Sequence, residues 1–247
     1  MRIQDDGGGV LACRAPHSRA MAGVFMTTGF SDSLKKFLYP RGVIAVLVVD
    51  AVQDAVPLAR ALLAGGVDCI ELTLRTPKAM EVLRCLREET PEMHVGVGTI
   101  LTLGQVNEVK EAGAAFGVAP GMNPKVVAEA QRIGLPFAPG ICTPTDVELA
   151  VEQGCRLLKF FPAEPSGGLP FLRAMAAPFA HLDVKYIPLG GVNLANAEAY
   201  LQEPSVQALG GSWLAPRELI LKQDWQTITE NARAVKEMVN RLRGGEP

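Results

Sequence analysis

From Ser31 onward, two kinds of segment alternate along the chain. One is a short apolar run, found at residues 43–48, 69–74, 94–97, 115–119, 136–139, 156–161, 185–189 and 206–209. Runs of this kind, rich in Val, Ile and Leu, suit strands covered on both faces, as in a parallel sheet. Pro136 and Pro139 leave the fifth run little capacity for ladder hydrogen bonds. The other kind is longer, Ala-rich and helix-periodic. It occupies 54–63, 77–87, 103–112, 124–133, 145–152, 168–175, 193–201 and 224–243. In the first of these, Ala55, Leu58, Ala59 and Leu62 fall on one face. Gly65, Gly113, Gly134 and Gly154 stand just before the next apolar run, where a left-handed glycine closes a helix.

Strands alternating with helices leave two architectures, an open doubly wound sheet or a closed barrel. The first strand is followed by Val49-Asp50-Ala51-Val52, without the glycine fingerprint of a dinucleotide fold. Eight units favour the barrel. The expected fold class is therefore α/β, a (β/α)8 TIM barrel. An extra N-terminal helix is expected over residues 31–39, with Ser31 or Ser33 as its N-cap. Residues 1–30, with Gly7-Gly8-Gly9, read as a flexible leader, with a mis-called start as the alternative because Met21 and Met26 lie just before the organised region. Residues 31–247 then form one domain, a span close to the ~250 residues of such barrels.

Composition narrows the function. A net charge of −2 argues against a nucleic-acid partner, whose binding domain is usually basic. Residues 43–49 are far short of the ~20 that a membrane helix needs. The five cysteines, Cys13, Cys69, Cys85, Cys142 and Cys155, form no CxxC pair. They read as reduced thiols in a cytoplasmic protein. His17, His94 and His181 lack metal-ligand spacing, so no metal is expected.

In such a barrel the site is built at the C-terminal ends of the strands. The sixth run reads Arg156-Leu157-Leu158-Lys159-Phe160-Phe161-Pro162, with Leu157, Lys159 and Phe161 on one face. A charged lysine in an apolar strand is costly to bury. It can snorkel, take an ion-pair partner, or give up its proton and become a nucleophile toward ketones. In the second run Glu71, Thr73 and Arg75 share one parity. Arg suits a bidentate grip on a carboxylate, and Glu near a lysine can shuttle protons. A structural ion pair would explain the same residues. Gly96-Val97-Gly98-Thr99 and Ala119-Pro120-Gly121 end the third and fourth strands. Gly190-Gly191-Val192-Asn193 and Gly210-Gly211-Ser212-Trp213 follow the seventh and eighth, where this fold commonly seats phosphate.

Taken in order, these motifs resemble the 2-keto-3-deoxy-6-phosphogluconate / 4-hydroxy-2-oxoglutarate (KDPG/KHG) aldolases over about residues 33–217, including Leu158-Lys159-Phe160-Phe161-Pro162-Ala163-Glu164. The resemblance implies a class I aldolase that forms a Schiff base with a small-molecule 2-keto acid. By it, Lys159 is the amine and Glu71 the acid/base. Arg75 and Thr99 hold the pyruvate carboxylate, and Pro120 and Phe161 shape the pyruvate pocket. Gly190, Gly191 and Ser212 bind the terminal phosphate. It also implies a homotrimer without a cofactor. Many phosphogluconate-type members carry threonine immediately before the strand-seven Gly-Gly. Here that position is Leu189, which leaves the C4 epimer open and keeps the phosphogalactonate analogue as a substrate. An aldolase acting mainly on unphosphorylated 4-hydroxy-2-oxoglutarate, a phosphosugar isomerase or epimerase on the same fold, and a non-catalytic phosphate sensor are the other readings.

Overall fold

A computed structural model describes residues 28–244. In chain order the strands are β1 (Val43–Leu47), β2 (Cys69–Thr73), β3 (His94–Gly98), β4 (Phe116–Val118), β5 (Phe137–Ala138), β6 (Gly140–Ile141), β7 (Leu157–Phe160), β8 (Lys185–Pro188) and β9 (Leu209–Gly211). The helices are α1 (Thr28–Leu38), α2 (Ala55–Ala64), α3 (Ala79–Glu89), α4 (Leu103–Glu111), α5 (Pro124–Arg132), α6 (Pro144–Glu152), α7 (Gly168–Ala176), α8 (Leu194–Leu201), α9 (Arg217–Leu221) and α10 (Trp225–Arg243).

All pairing is parallel. Ladders run β5-β4-β3-β2-β1-β9 and β6-β7-β8. Bridges Tyr186↔Val206 and Leu189↔Gly210 join β8 to the β9 segment. β5 and β6 are two halves of one stave broken at Pro139, a residue with no N–H to donate. Pro139 still accepts from the Lys159 amide at 2.9 Å. The result is the eight-staved TIM barrel.

Strand alternation divides the apolar residues into two layers. Ile44, Cys69, Phe116, Val118, Ala138, Leu157, Ile187 and Leu189 fill the barrel interior. Val43, Ala45, Leu47, Ile70, Leu72, Leu158 and Phe160 face outward onto Leu58, Leu62, Val82, Val106 and the other helix faces. Leu34 and Leu38 of α1 join the interior layer. That layer also holds Cys69 and Leu157, the first residues of their strands, and α1 contacts β7, so α1 caps the end opposite the strand C-termini.

Local signals position the outer helices. Thr102 and Thr143 each form a reciprocal capping box, with Gln105 and Asp146. Asn123 caps α5 ahead of Pro124. Gly113, Gly134 and Gly154 are left-handed as expected, with φ of 85°, 68° and 78°.

Three expectations need correction. Gly65 has φ −86°, and its neighbour Gly66, at +84°, is the left-handed residue. A Cβ on Gly65 would lie 2.4 Å from Ala232 Cβ, so close packing of α10 explains that glycine. α1 starts at Thr28, which places Ser31 and Ser33 inside the helix rather than at its cap and carries it into the span read as leader. The remainder of that leader, with Cys13 and His17, lies outside the described residues. The last strand is Leu209–Gly211, three residues later than its apolar run starts, because β1 recruits Gly210 and Gly211 by backbone pairing.

Candidate active site

The strand C-termini surround a cavity of about 200 Å³. That is below the ~300–1,000 Å³ of drug-sized pockets and suits a small metabolite. Its walls are Val46, Glu71, Thr73, Arg75, Thr99, Pro120, Lys159, Phe161, Leu189, Gly190, Gly210, Gly211 and Ser212. Eight of the nine residues expected at the site line it. Gly191 does not, and lies one residue further along the same turn. Val46 was not expected. Its inward parity at the end of β1, in phase with Ile44, is the signal that would have found it.

Alternation on β2 directs Glu71 and Thr73 into the interior while Ile70 and Leu72 pack on the helices. Alternation on β7 does the same for Lys159 between Leu158 and Phe160. Lys159 Nζ donates to Glu71 Oε1 at 2.9 Å, with the residues 6% and 2% exposed. The lysine thus avoids the cost of solitary burial by taking a carboxylate partner. Phe161 contributes a ring centroid 5.5 Å from the same ammonium.

Gly98 lies opposite Thr73 in the β2–β3 register. A Cβ there would come within 1.9 Å of Glu71 Oε1. The glycine is what admits the carboxylate to its place beside Lys159. Thr99, next in the chain, holds φ +62°. A left-handed β-branched residue costs on the order of 1–3 kcal/mol and is kept only where its surroundings enforce it.

At the turn after β8, Gly190 and Gly191 have φ of 92° and 83°. Asn193 and Asn196 both donate side-chain N–H to the Gly191 carbonyl, and Asn193 caps α8. Among the described residues, no group accepts from the Gly190, Gly191 or Ser212 amides. The turn is therefore braced at its Gly191 carbonyl, glycine-rich and supplied with free donors at a helix N-terminus, an arrangement suited to an anion. Glu164, on the loop after β7, packs its stem against Gly191 and accepts from the Tyr200 hydroxyl. Burial and that carboxylate push the Tyr200 phenol well above its ordinary value. At the rim, Arg217 grips Asp50 with two bonds of 2.8 and 2.7 Å, holding the Asp50 carboxyl below its ordinary range. Among the described residues no three His, Cys, Asp or Glu side chains gather at metal-binding spacing. No helix among them is long and apolar enough to cross a membrane.

Fold and cavity together define a TIM-barrel enzyme organised around a buried lysine–carboxylate pair. The family model for the KDPG and KHG aldolases matches residues 34–231. The 2-dehydro-3-deoxy-phosphogluconate aldolase of Treponema pallidum is 42% identical over 197 residues, 80% of this chain and 93% of that protein. The KHG/KDPG aldolase of Escherichia coli is 41% identical over 208 residues, 84% and 97% of the two chains. The crystal structure of the Legionella pneumophila KDPG aldolase, holding pyruvate as a covalent carbinolamine, superposes with a TM-score of 0.78 at 39% identity, covering 81% and 97%. The chain belongs to the KDPG and KHG aldolase family.

Proposed function

We propose that this enzyme cleaves 2-keto-3-deoxy-6-phosphogluconate, 4-hydroxy-2-oxoglutarate or both, through a Schiff base on Lys159. The products are pyruvate and glyceraldehyde 3-phosphate or glyoxylate. The observation that carries this reading is the 2.9 Å contact between Lys159 Nζ and Glu71 Oε1 within the cavity that Arg75 also lines. It gives the ammonium proton an acceptor, and loss of that proton frees the nitrogen lone pair.

The amine attacks the C2 carbonyl of the keto acid, and loss of water gives an iminium. Glu71, directly or through a water, takes the C4 hydroxyl proton. The C3–C4 bonding electrons flow to the iminium nitrogen, the aldehyde departs, and an enamine of pyruvate remains. Protonation at C3 and hydrolysis release pyruvate and restore the amine. Arg75 and Thr99 hold the substrate carboxylate, a role that suits a guanidinium with no carboxylate partner of its own among the described residues. Pro120 and Phe161 confine the pyruvate portion. The free amides at Gly190 and Gly191, with Ser212, receive the distal phosphate of the larger substrate. Family resemblance supports a cytoplasmic homotrimer that works without metal or cofactor.

Incubation with pyruvate and borohydride tests the reading. Reduction should fix a pyruvyl group on Lys159, located by peptide mass spectrometry, and Lys159→Arg should abolish it because guanidinium stays protonated. An adduct on another lysine, or none, would overturn the assignment.

A further inference from the structure

Thr73 lies one alternation beyond Glu71 on β2, in the wall of the same cavity, and is 3% exposed. Its hydroxyl has a single proton, which it donates to the Leu47 carbonyl at 2.9 Å. The oxygen is then left to accept, and the Arg75 Nε–H reaches it at 3.2 Å. Thr76, on the other side of Arg75, donates to the Val49 carbonyl at 2.7 Å. Two threonines thus tie the segment carrying Arg75 to the end of β1. Glu71, the nearest carboxylate along the strand, is engaged with Lys159.

We propose that Thr73 is a positioning residue for substrate carboxylate recognition, acting through Arg75. Its hydroxyl, locked by Leu47, engages Nε and fixes the plane of the guanidinium. The Nη donors are the ones left for a carboxylate. A long, exposed arginine stem otherwise samples many rotamers, and binding would have to order it. Pre-orientation removes that loss and strengthens binding without adding a contact to the ligand. The proposal rests on the reading that Arg75 holds the pyruvate carboxylate.

The test uses the full chain and pyruvate alone, following exchange of the pyruvate methyl protons in deuterated water by NMR. Arg75→Ala should raise half-saturation by pyruvate about tenfold or more, as for loss of a charge-assisted hydrogen bond. Thr73→Val should raise it about three- to tenfold while the maximal exchange rate stays within about twofold, because the lost bond acts on binding. Thr73→Ser should restore the wild-type value. In the Arg75→Ala background, Thr73→Val should add nothing, since partners in one network are non-additive. Thr73→Ala serves in place of valine where valine disturbs folding, and the same pattern is required of it. An equal penalty with and without Arg75, a fall in maximal rate at unchanged half-saturation, or a serine variant as weak as valine would each overturn the role of Thr73 alone. An Arg75→Ala enzyme with unchanged half-saturation would instead remove the carboxylate reading itself, and the proposal with it.

Discussion

Lys159 on β7 and Glu71 on β2 meet across the barrel lumen at 2.9 Å although 88 positions separate them in the chain. Both are buried, so each is the other's principal compensation for leaving water. Removing one partner of such a pair typically costs about 3–5 kcal/mol.

Glu71→Gln keeps the shape of the side chain and removes its ability to take a proton. We expect kcat to fall by about 10²–10⁴-fold, the usual contribution of positioned proton transfer. Borohydride trapping should persist at a lower rate. Steady-state kinetics beside the trapping assay separates the two steps. Turnover near the wild-type value would show that another group moves the proton.

Gly98→Ala tests the same contact without touching either charge. Its Cβ would fall 1.9 Å from Glu71 Oε1, so the carboxylate must shift away from Lys159. A displacement of about 1 Å in a catalytic group can cost on the order of 10²-fold. We expect kcat to drop by that order while the barrel still melts cooperatively. An unchanged kcat would mean that the position of Glu71 is not critical.

Thr99→Gly should separate stability from activity. Glycine relieves a left-handed strain of about 1–3 kcal/mol, offset by roughly 0.5–1 kcal/mol of extra unfolded-chain entropy. The melting temperature should hold or rise by a few degrees, while half-saturation by pyruvate increases with loss of the hydroxyl. A marked fall in melting temperature would contradict the strain argument.

Ser212→Ala should weaken kcat/KM for phosphorylated substrate about tenfold or more, the equivalent of one hydrogen bond to an anion at roughly 1.5–3 kcal/mol. 4-Hydroxy-2-oxoglutarate, which lacks the phosphate, should be nearly unaffected. Equal losses on both substrates would remove the phosphate seat from the turns after β8 and β9.

Leu189 is buried, lines the cavity and lies against Gly210, where a Cβ would come within 2.4 Å of its Cγ. It offers the C4 hydroxyl region no hydrogen bond, and a site that discriminates hydroxyl geometry generally uses one. We expect wild-type enzyme to cleave both the gluconate- and galactonate-derived phosphorylated substrates. Leu189→Thr should shift preference toward the gluconate-derived one. Strict selectivity in the wild type, measured with the two epimers in parallel, would place the choice elsewhere.

What the sequence determined by itself is what has a local cause. Strand alternation is a property of neighbouring residues, so the shared face of Glu71, Thr73 and Arg75, and that of Leu157, Lys159 and Phe161, were readable without coordinates. Helix ends at Gly113, Gly134 and Gly154 were readable too, because a left-handed residue favours glycine wherever the chain folds back. Ordered motifs at successive strand ends carried the family. The tertiary structure decided what depends on which staves face one another once the barrel closes. Closure brings Lys159 opposite Glu71, and the β2–β3 register sets Gly98 beneath the carboxylate. The same folding ties Thr73 to the Leu47 carbonyl and moves the last strand onto Gly210 and Gly211. Those contacts join segments tens of residues apart through backbone registers that neither hydrophobic period nor turn chemistry encodes. For the same reason Gly65 departs from the helix-end rule: its glycine answers to the approach of α10, more than 150 residues further along the chain, and not to its own helix end.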